Sequence, residues 1–497
     1  MSENAKASSV NRAKLYQLVL FPLNNGATNV YYVLVLSYIA TFGSNVLALG
    51  TLFASVMVTA MRLCDAITDP IIGALMDRTN GKFGKFRPFM AIGNLIMAAS
   101  ILVLYGITPM IPDTMMWARY AAFVGLYFVW VIGYPFQTSC TRSGQTVLTN
   151  DPKQRPLFAS FDGVYNTVLF AGLAVITANI ANSYKDVGGY ASTQFFHTFW
   201  LLTAIVSGIF TLLAVIAIAP KDRPEFFGTG KPVKVGLKDY WDTLKNNRAI
   251  QMLVLSASTD KLGNTAKTSA VQVALFACIA GSTLLQGNVT ALTTVPVCIL
   301  TFLCISTLAT KFGQRKGMII GSVGALIGNG ALIALWLLGD PTTMTSNPET
   351  GALNWGYFLI LYIVLTVLTG GFQNLAGNIV IPMTADCADY EVYRSGKYVP
   401  GLMGTLFSFV DKLVSSFAPM IAGAMFTACG FVDHNPVMGD PVTMKLRIGT
   451  ALCAYGVIMI GLVCNLIAMH FYPLTKEKMA EIQDEVVKIK MAAAQNA

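Results

Sequence analysis

The stretch that decides the fold is Val58-Thr59-Ala60-Met61-Arg62-Leu63-Cys64-Asp65-Ala66-Ile67-Thr68-Asp69-Pro70, where charged residues interrupt an apolar run. Arg62, Asp65 and Asp69 are spaced i, i+3 and i+7, so a helix places all three on one face. An ionised carboxylate at the centre of a bilayer costs about 3 kcal/mol on insertion scales. The triad therefore indicates a helix that faces a partner or a wet cavity. The two carboxylates are about 6 Å apart along the helix axis, which suits a shared cation or proton. The alternative is an internal ion pair that only orients helices.

The composition excludes an ordinary soluble enzyme. Of the 497 residues, 54% are hydrophobic and 12% are charged, whereas soluble domains average about 25% charged residues. Apolar stretches long enough to span a bilayer recur along the chain. We expect twelve spans, at 16–42, 47–76, 88–108, 115–145, 158–183, 195–219, 249–279, 284–309, 317–338, 353–383, 401–429 and 446–472.

The net charge of +9 is distributed unevenly over the connections between these spans. The two tails and the even-to-odd connections hold 25 of the 34 lysines and arginines, and the opposite side holds only Lys185, Lys445 and Arg447. We expect a multi-pass protein of the plasma (inner) membrane. By the positive-inside rule, both of its termini are predicted to lie on the cytoplasmic side. The positive charge is thus a topology signal, and no nucleic-acid partner is expected.

The longest connection divides the spans six and six. We predict an N-terminal six-helix bundle over 1–219, a cytoplasmic central loop over 220–248, a C-terminal six-helix bundle over 249–473 and a cytoplasmic tail over 474–497. The basic turns after spans 2 and 8 form a weak internal echo, as in transporters built from parallel repeats with a substrate site between them. Gly and Pro inside spans, such as Pro135 and Pro382, predict interruptions that permit bending.

The chain offers little for cofactor or metal chemistry. Its nine cysteines form no CxxC pair or metal spacing, and its three histidines lie near span ends. There is no Walker A sequence and no nucleophile–base–acid set. We therefore expect no enzyme, no cofactor and no metal other than a transported monovalent cation, with an ion or substrate gradient as the energy source.

Two motifs and one lysine carry a family resemblance. The first motif is R-L-C-D-A-I-T-D-P at 62–70 with Gly73, followed by G-K-F-R-P at 84–88. The second is P-M-T-A-D-C-A-D-Y-E at 382–391, at the predicted exit of span 10, and Lys412 lies in span 11. With these features the chain resembles the glycoside–pentoside–hexuronide:cation symporters of the major facilitator superfamily, whose reference members are the melibiose carriers.

The resemblance implies an all-α membrane protein with the major facilitator fold, twelve transmembrane helices in two bundles. It implies symport of a sugar or glycoside with Na⁺, H⁺ or Li⁺, with Asp65 and Asp69 as the cation-site carboxylates. Arg62 matches the family's adjacent arginine. Lys412 matches a lysine that approaches the carboxylates from the other half, either replacing the cation in the empty carrier or serving as a static salt-bridge partner.

The chain departs from the melibiose-type pattern at the sugar site. Asn25 stands at the span-1 carboxylate position, and the span-4 acidic position falls near Gln137 or Thr138. The next aromatic position falls near Thr141 or Arg142, and the span-5 arginine near Asp162. Galactoside specificity and the coupling ion are therefore open. Arg142 and Asp162 either form a structural pair, or Arg142, with Lys267, holds an anionic sugar such as a uronide.

From these observations we predict a monomeric carrier of a pentoside, hexoside or uronide that works by alternating access. The alternatives are a carrier for another solute, such as a lysolipid, and a non-transporting membrane sensor. Its partners are the sugar, the cation and the lipid bilayer. The candidate substrate residues are Asn25, Tyr32, Gln137, Thr138, Arg142, Asp162, Lys267, Gln373 and Asn374, and the candidate cytoplasmic gate motif is Gly73, Asp77, Arg78 and Arg87.

Overall fold

A computed structural model describes residues 12–79, 81–149, 154–223, 244–268, 270–347, 352–395, 409–482 and 484–485. Ten of the described helices are long and apolar enough to cross a membrane. Two interrupted helical segments, at 15–46 and 248–279, complete the set of twelve expected spans. The prediction of an all-α membrane protein is confirmed.

The twelve segments are numbered here in chain order. The first, α1, begins with Leu15–Leu20, which a short turn at 21–22 connects to Leu23–Tyr32. A wider π-type turn over Val33–Ser37 leads on to Tyr38–Thr41, and a second one over Phe42–Val46 ends the segment. The others are α2 (Thr51–Arg78), α3 (Phe86–Ile101), α4 (Met116–Leu148), α5 (Arg155–Ser183), α6 (Thr193–Ile218), α7 (Arg248–Thr268, continued by Ala270–Val273 and Ala274–Ile279), α8 (Thr283–Cys304), α9 (Gln314–Leu338), α10 (Tyr357–Ser395), α11 (Phe409–Ala428) and α12 (Met444–Phe471).

The outward faces of these helices are apolar, as a lipid environment requires. On α6, Ile205, Ile209, Leu212 and Ile216 recur at helical spacing and are each more than half exposed. Residues at i, i+4, i+7 and i+11 form one continuous stripe. A helix with all its backbone hydrogen bonds satisfied internally and such a stripe outside is stable in hydrocarbon.

The chain divides into two compact units. Within the described residues, unit 1 comprises the chain up to 223 with the short pieces 282–291 and 426–440. Unit 2 comprises 244–281, 292–425 and the chain from 441 onward. Each unit has its own apolar core, around Phe21, Met90 and Ile218 in unit 1 and around Leu253, Met383 and Met469 in unit 2. The predicted domain boundaries remain a prediction.

Close helix packing in each unit depends on glycine. In unit 1, a Cβ on Gly93 of α3 would lie 2.8 Å from the Cβ of Phe136 on α4. In unit 2, a Cβ on Gly321 of α9 would lie 2.9 Å from the carbonyl oxygen of Phe372 on α10. Small residues allow such backbone approach in membranes, where packing drives helix association. The corresponding helix pairs of the two units thus use the same device.

Two details of the predicted spans are wrong. The helix of span 10 does not end at Pro382, because α10 continues through this proline to Ser395. Likewise α4 is continuous through Pro135. A proline removes one backbone N–H donor. In a membrane helix, groups of the neighbouring helices can provide a partner for the carbonyl that loses its hydrogen bond. The irregular turns lie elsewhere, for example at Val33–Ser37 and Ala274–Ile279, where the sequence gives no Gly or Pro signal.

Candidate functional site

The charged triad lies on α2 of unit 1. Arg62, Asp65 and Asp69 are all half-buried, and one oxygen of each carboxylate is fully buried. They belong to α2, a continuous helix of 28 residues. Gly50, with a φ of +82°, makes the sharp turn between α1 and this helix. The helix therefore holds both carboxylates on one face, as the spacing predicts.

Two tyrosines of α4 interact electrostatically with this triad. Tyr134 lies within electrostatic range of both aspartates and of the arginine, and Tyr127 within range of Asp65 and Arg62. Tyr134 also stacks on Trp130, with ring centroids 5.2 Å apart. Tyr32 of α1 lies near both tyrosines and makes an edge contact with Phe170. The neighbourhood of the carboxylates is thus aromatic as well as polar.

A ladder of amides and one carboxylate joins α1 to α5. Asn25 donates its Nδ2 to both oxygens of Asp162, at 2.8 and 3.1 Å. Asn166 donates to Asp162 at 3.2 Å and accepts from Asn29 at 2.7 Å. We call these four residues the α1–α5 ladder. The structure brings together Asn25 and Asp162, which the sequence placed among the substrate candidates, and adds Asn29 and Asn166, which sequence reasoning missed.

Gln137 lies in a different environment from the one predicted. Its side chain is fully buried between α1, α4 and α6, where it donates to Asn24 (3.0 Å) and Thr211 (2.7 Å). Asn24, also fully buried, donates to the Gln137 carbonyl and to Thr141. Since buried polar groups need such partners, this network holds three helices together. Thr138 is half-buried and donates to the carbonyl of Tyr134 within its own helix.

Three of the candidate site residues can be placed only by their backbone. The side chains of Arg142, Asp77 and Arg78 are outside the described residues. The predicted pairing of Arg142 with Asp162 therefore stays a prediction.

Unit 2 carries a second polar region. Gln373 of α10 is buried and donates to Asn264 of α7 at 2.8 Å, and Asn264 in turn donates to Asp260. Asn374 is exposed. Lys267 places its Nζ 5.0 Å from the ring centre of Tyr455, a cation–π contact between α7 and α12. Lys412 is half-buried on α11, and its carbonyl accepts bonds from Ser415 and Ser416.

Arg87 of the gate motif takes part in a polar contact at the start of α3. Asp222, only 1% exposed, follows α6 and accepts backbone N–H bonds from Lys85, Phe86 and Arg87 at 2.8–3.2 Å. The Arg87 side chain also donates to it, at 3.4 Å. We call this arrangement the Asp222 clip. It places a carboxylate on the N-terminus of α3, where the helix dipole and the orphan N–H groups favour an anion.

Lys221, the residue before Asp222, binds backbone carbonyls instead of N–H groups. Lys221 donates its ammonium to the carbonyls of Arg12 and of Leu148, the last residue of α4. Burial, with a contribution from the charge of Lys14, lowers the pKa of Lys221. One dipeptide after α6 thus caps the positive end of α3 and the negative end of α4.

Comparisons with known proteins agree with this architecture. A family model described as "MFS/sugar transport protein" matches residues 21–476. The chain is 23% identical to a glucuronide carrier protein homolog of Escherichia coli strain K12, over 94% of each chain. It is 21% identical to a lactose permease of Leuconostoc lactis, over 98% of this chain and 74% of that protein. Among solved structures, a D-xylose-proton symporter has the same fold, with a TM-score of 0.64 and 16% identity over 93% of this chain and 98% of that one.

Fold and family together define a multi-pass membrane transporter, not an enzyme. The chain belongs to the MFS/sugar transport protein family. The resemblance to the glycoside–pentoside–hexuronide:cation symporters, and with it the major facilitator fold, is confirmed.

Proposed function

We propose that this chain moves a neutral sugar or glycoside across the plasma membrane together with a monovalent cation held by Asp65 and Asp69. The observation that carries the proposal is the half-buried carboxylate pair on one face of α2, set among tyrosines. Two carboxylates in a span are costly unless a cation or proton neutralises them. If the sugar binds better when the cation is bound, reciprocity makes the two solutes travel together.

The α1–α5 ladder supports a sugar as the second solute. Amide and carboxylate groups match the hydroxyls of a sugar. The partners of Asp162 in this ladder are neutral amides. An ionised Asp162 repels a uronate, so this wall favours a neutral glycoside over a charged one.

The remaining site roles follow as parts of the same proposal. Arg62 tunes the affinity of the carboxylate pair, and Lys412 either substitutes for the cation or serves as a static partner. Gln373, Asn374 and Lys267 remain candidate substrate residues of unit 2. The chain works as a monomer, with both termini in the cytoplasm.

The experiment uses the full-length protein reconstituted in vesicles. Counterflow and gradient-driven uptake are measured with p-nitrophenyl β-D-glucoside and with p-nitrophenyl β-D-glucuronide, which differ in one carboxylate. A Na⁺ gradient and a proton gradient are imposed separately to identify the coupling ion. We expect gradient-driven accumulation of the glucoside and little uptake of the glucuronide.

The variant Asp69→Asn tests the cation site. It should abolish accumulation while counterflow of the glucoside persists, because exchange needs no net cation movement. Asp186→Asn, an exposed carboxylate outside the spans, is the matched control and should behave as the unchanged protein. Undiminished accumulation by Asp69→Asn would refute the cation site. Glucuronide uptake equal to that of the glucoside would refute the neutral-sugar preference, and Asp162→Asn should raise the relative uptake of glucuronide.

A further inference from the structure

A short segment of unit 1 connects two helices that belong mainly or entirely to unit 2. Residues 431–440 follow α11 and lead through 441–443 to α12. They are part of unit 1, whereas most of α11 and all of α12 are part of unit 2. We call residues 431–440 the strap. Any change in the arrangement of the two units must therefore either bend the chain at the ends of the strap or break the contacts that hold it.

Three hydrogen bonds hold the strap to the chain on either side of the turn between α1 and α2. The side chain of Asn45 donates to the carbonyl of Asn435 at 3.0 Å and accepts the backbone N–H of the same residue at 3.1 Å. The backbone N–H of Thr51 donates to the carbonyl of Val432 at 2.9 Å. Each such bond contributes little net stability. A segment that is held by a few bonds of this kind opens at a lower cost than a packed core.

The strap keeps its own shape. Asp440 accepts the backbone N–H of Val437 at 2.8 Å, and its carboxylate lies 3.2 Å from Nε2 of His434. The ring of Phe431 makes an edge contact with the His434 ring, with centroids 5.8 Å apart. Just before the strap, Gly430 has a φ of +105°, and a Cβ there would meet nothing within 4 Å. This glycine can therefore serve as a hinge for a segment that is already formed.

The turn beside the strap is strained. Ala48 has a φ of +55°, which brings its Cβ close to the backbone, and Gly50 follows with a φ of +82°. Strained backbone persists only where the surrounding structure over-determines it, and it is common in switch regions. The bonds from the strap reach Asn45 before this turn and Thr51 after it. The strap thus supports the strained turn from both sides.

We propose that the strap is a latch of the transport cycle, which holds the turn between α1 and α2 in this conformation and detaches when the two units rearrange. The latch requires that the units move during transport. It does not depend on the cation or the sugar of the proposed function. A strap that is prevented from detaching should therefore stop the cycle, whatever the solute.

Cysteine labelling tests the detachment in the purified full-length protein in detergent. Asn435 is 2% exposed, and its side-chain amide makes no hydrogen bond within the described residues, so Asn435→Cys keeps both bonds to Asn45. The exposed Asp433→Cys is the reference for an accessible thiol. In folded protein, a maleimide should modify Asn435→Cys completely but at least about tenfold more slowly than Asp433→Cys, as peptide mass spectrometry measures it. Equal rates, or protection until the protein unfolds, would overturn the proposal.

The bonds of Asn45 are tested by its removal. Asn45→Ala deletes both bonds to the strap and should accelerate the labelling of Asn435→Cys by about tenfold. Asn179→Ala is the matched control, because Asn179 is exposed and donates to the carbonyl of Val175 in its own helix. It should leave the labelling rate unchanged. Equal rates in the two alanine variants would refute the role of Asn45.

A tether tests whether transport needs the detachment. Ala48 and Asp433 are both exposed, and a flexible bismaleimide joins Ala48→Cys to Asp433→Cys in the double variant. Counterflow of p-nitrophenyl β-D-glucoside in vesicles should then fall at least about tenfold, while each single variant treated with the same reagent retains it. Undiminished counterflow in the cross-linked protein would overturn the latch. If the untreated protein does not carry the glucoside, the proposed function fails, and the two labelling comparisons still decide the latch.

Discussion

Asp222→Ala tests the Asp222 clip, in which one carboxylate accepts the backbone N–H groups at the start of α3. The substitution removes the acceptor for three backbone N–H groups at the start of α3. Phe86 is 2% exposed, so its N–H has no access to water. Leaving this N–H without a hydrogen-bond acceptor costs about 1–3 kcal/mol. The loss of the helix cap and of the anion at the dipole adds about 1–2 kcal/mol. The expected total is about 3 kcal/mol.

The expected readout is a lower melting temperature. For a unit of this size, 1 kcal/mol corresponds to about 2–4 °C, so Tm should fall by about 6–12 °C. Thermal unfolding of the purified protein, followed by tryptophan fluorescence, measures the change. Asp222→Asn retains one acceptor oxygen and should give an intermediate fall. The exposed Asp186→Ala is the matched control; if both alanine variants shift Tm equally, the capping role is refuted.

Four further predictions concern packing and capping. Gly84→Ala should lower Tm by several degrees, because Gly84 has a φ of +87° and a Cβ there would lie 2.6 Å from the carbonyl oxygen of the clip carboxylate residue. Gly73→Ala, where a Cβ meets nothing within 4 Å, should leave Tm unchanged or raise it. Gln137→Leu should lower Tm by breaking its buried network while the KM of glycoside uptake in vesicles stays the same; a raised KM at unchanged Tm would contradict this. Arg315→Gln should lower Tm by about 2–4 °C, since its guanidinium caps the last carbonyls of α12 at 2.9 and 3.0 Å. The exposed Lys316→Gln should not change it.

The helical architecture could be read from the sequence because it depends on local patterns. Hydropathy and charge place ten of the twelve spans close to their structural positions. The beginning of span 11, predicted at 401, lies outside the described residues, and α10 is the exception. It runs on to Ser395 because a proline in a packed membrane helix does not end it. The carboxylates of α2 could likewise be placed on one face, since helical spacing alone determines that.

The long-range polar contacts could not be read in this way. Asp222 stands in a basic loop and contacts residues 135–137 positions earlier. Asn24 and Asn25 are adjacent, yet one is sealed in a three-helix network and the other reaches Asp162. Nothing local distinguishes them. The similarity between the basic turns of the two halves is a usable signal. Gly84 and Gly313 lie in these turns and have φ values of +87° and +86°. Gly84 approaches Asp222, which follows α6, and Gly313 approaches Lys476, which follows α12.

The two units are not contiguous in the chain, and this has a consequence for dissecting the protein. Unit 1 includes 282–291 and 426–440, and in it the backbone N–H of Thr51 donates to the carbonyl of Val432. A polypeptide severed in the central loop therefore yields an N-terminal fragment that lacks two pieces of its own unit. We therefore expect that recovery of a working transporter from split genes requires both fragments to be made together in the same membrane.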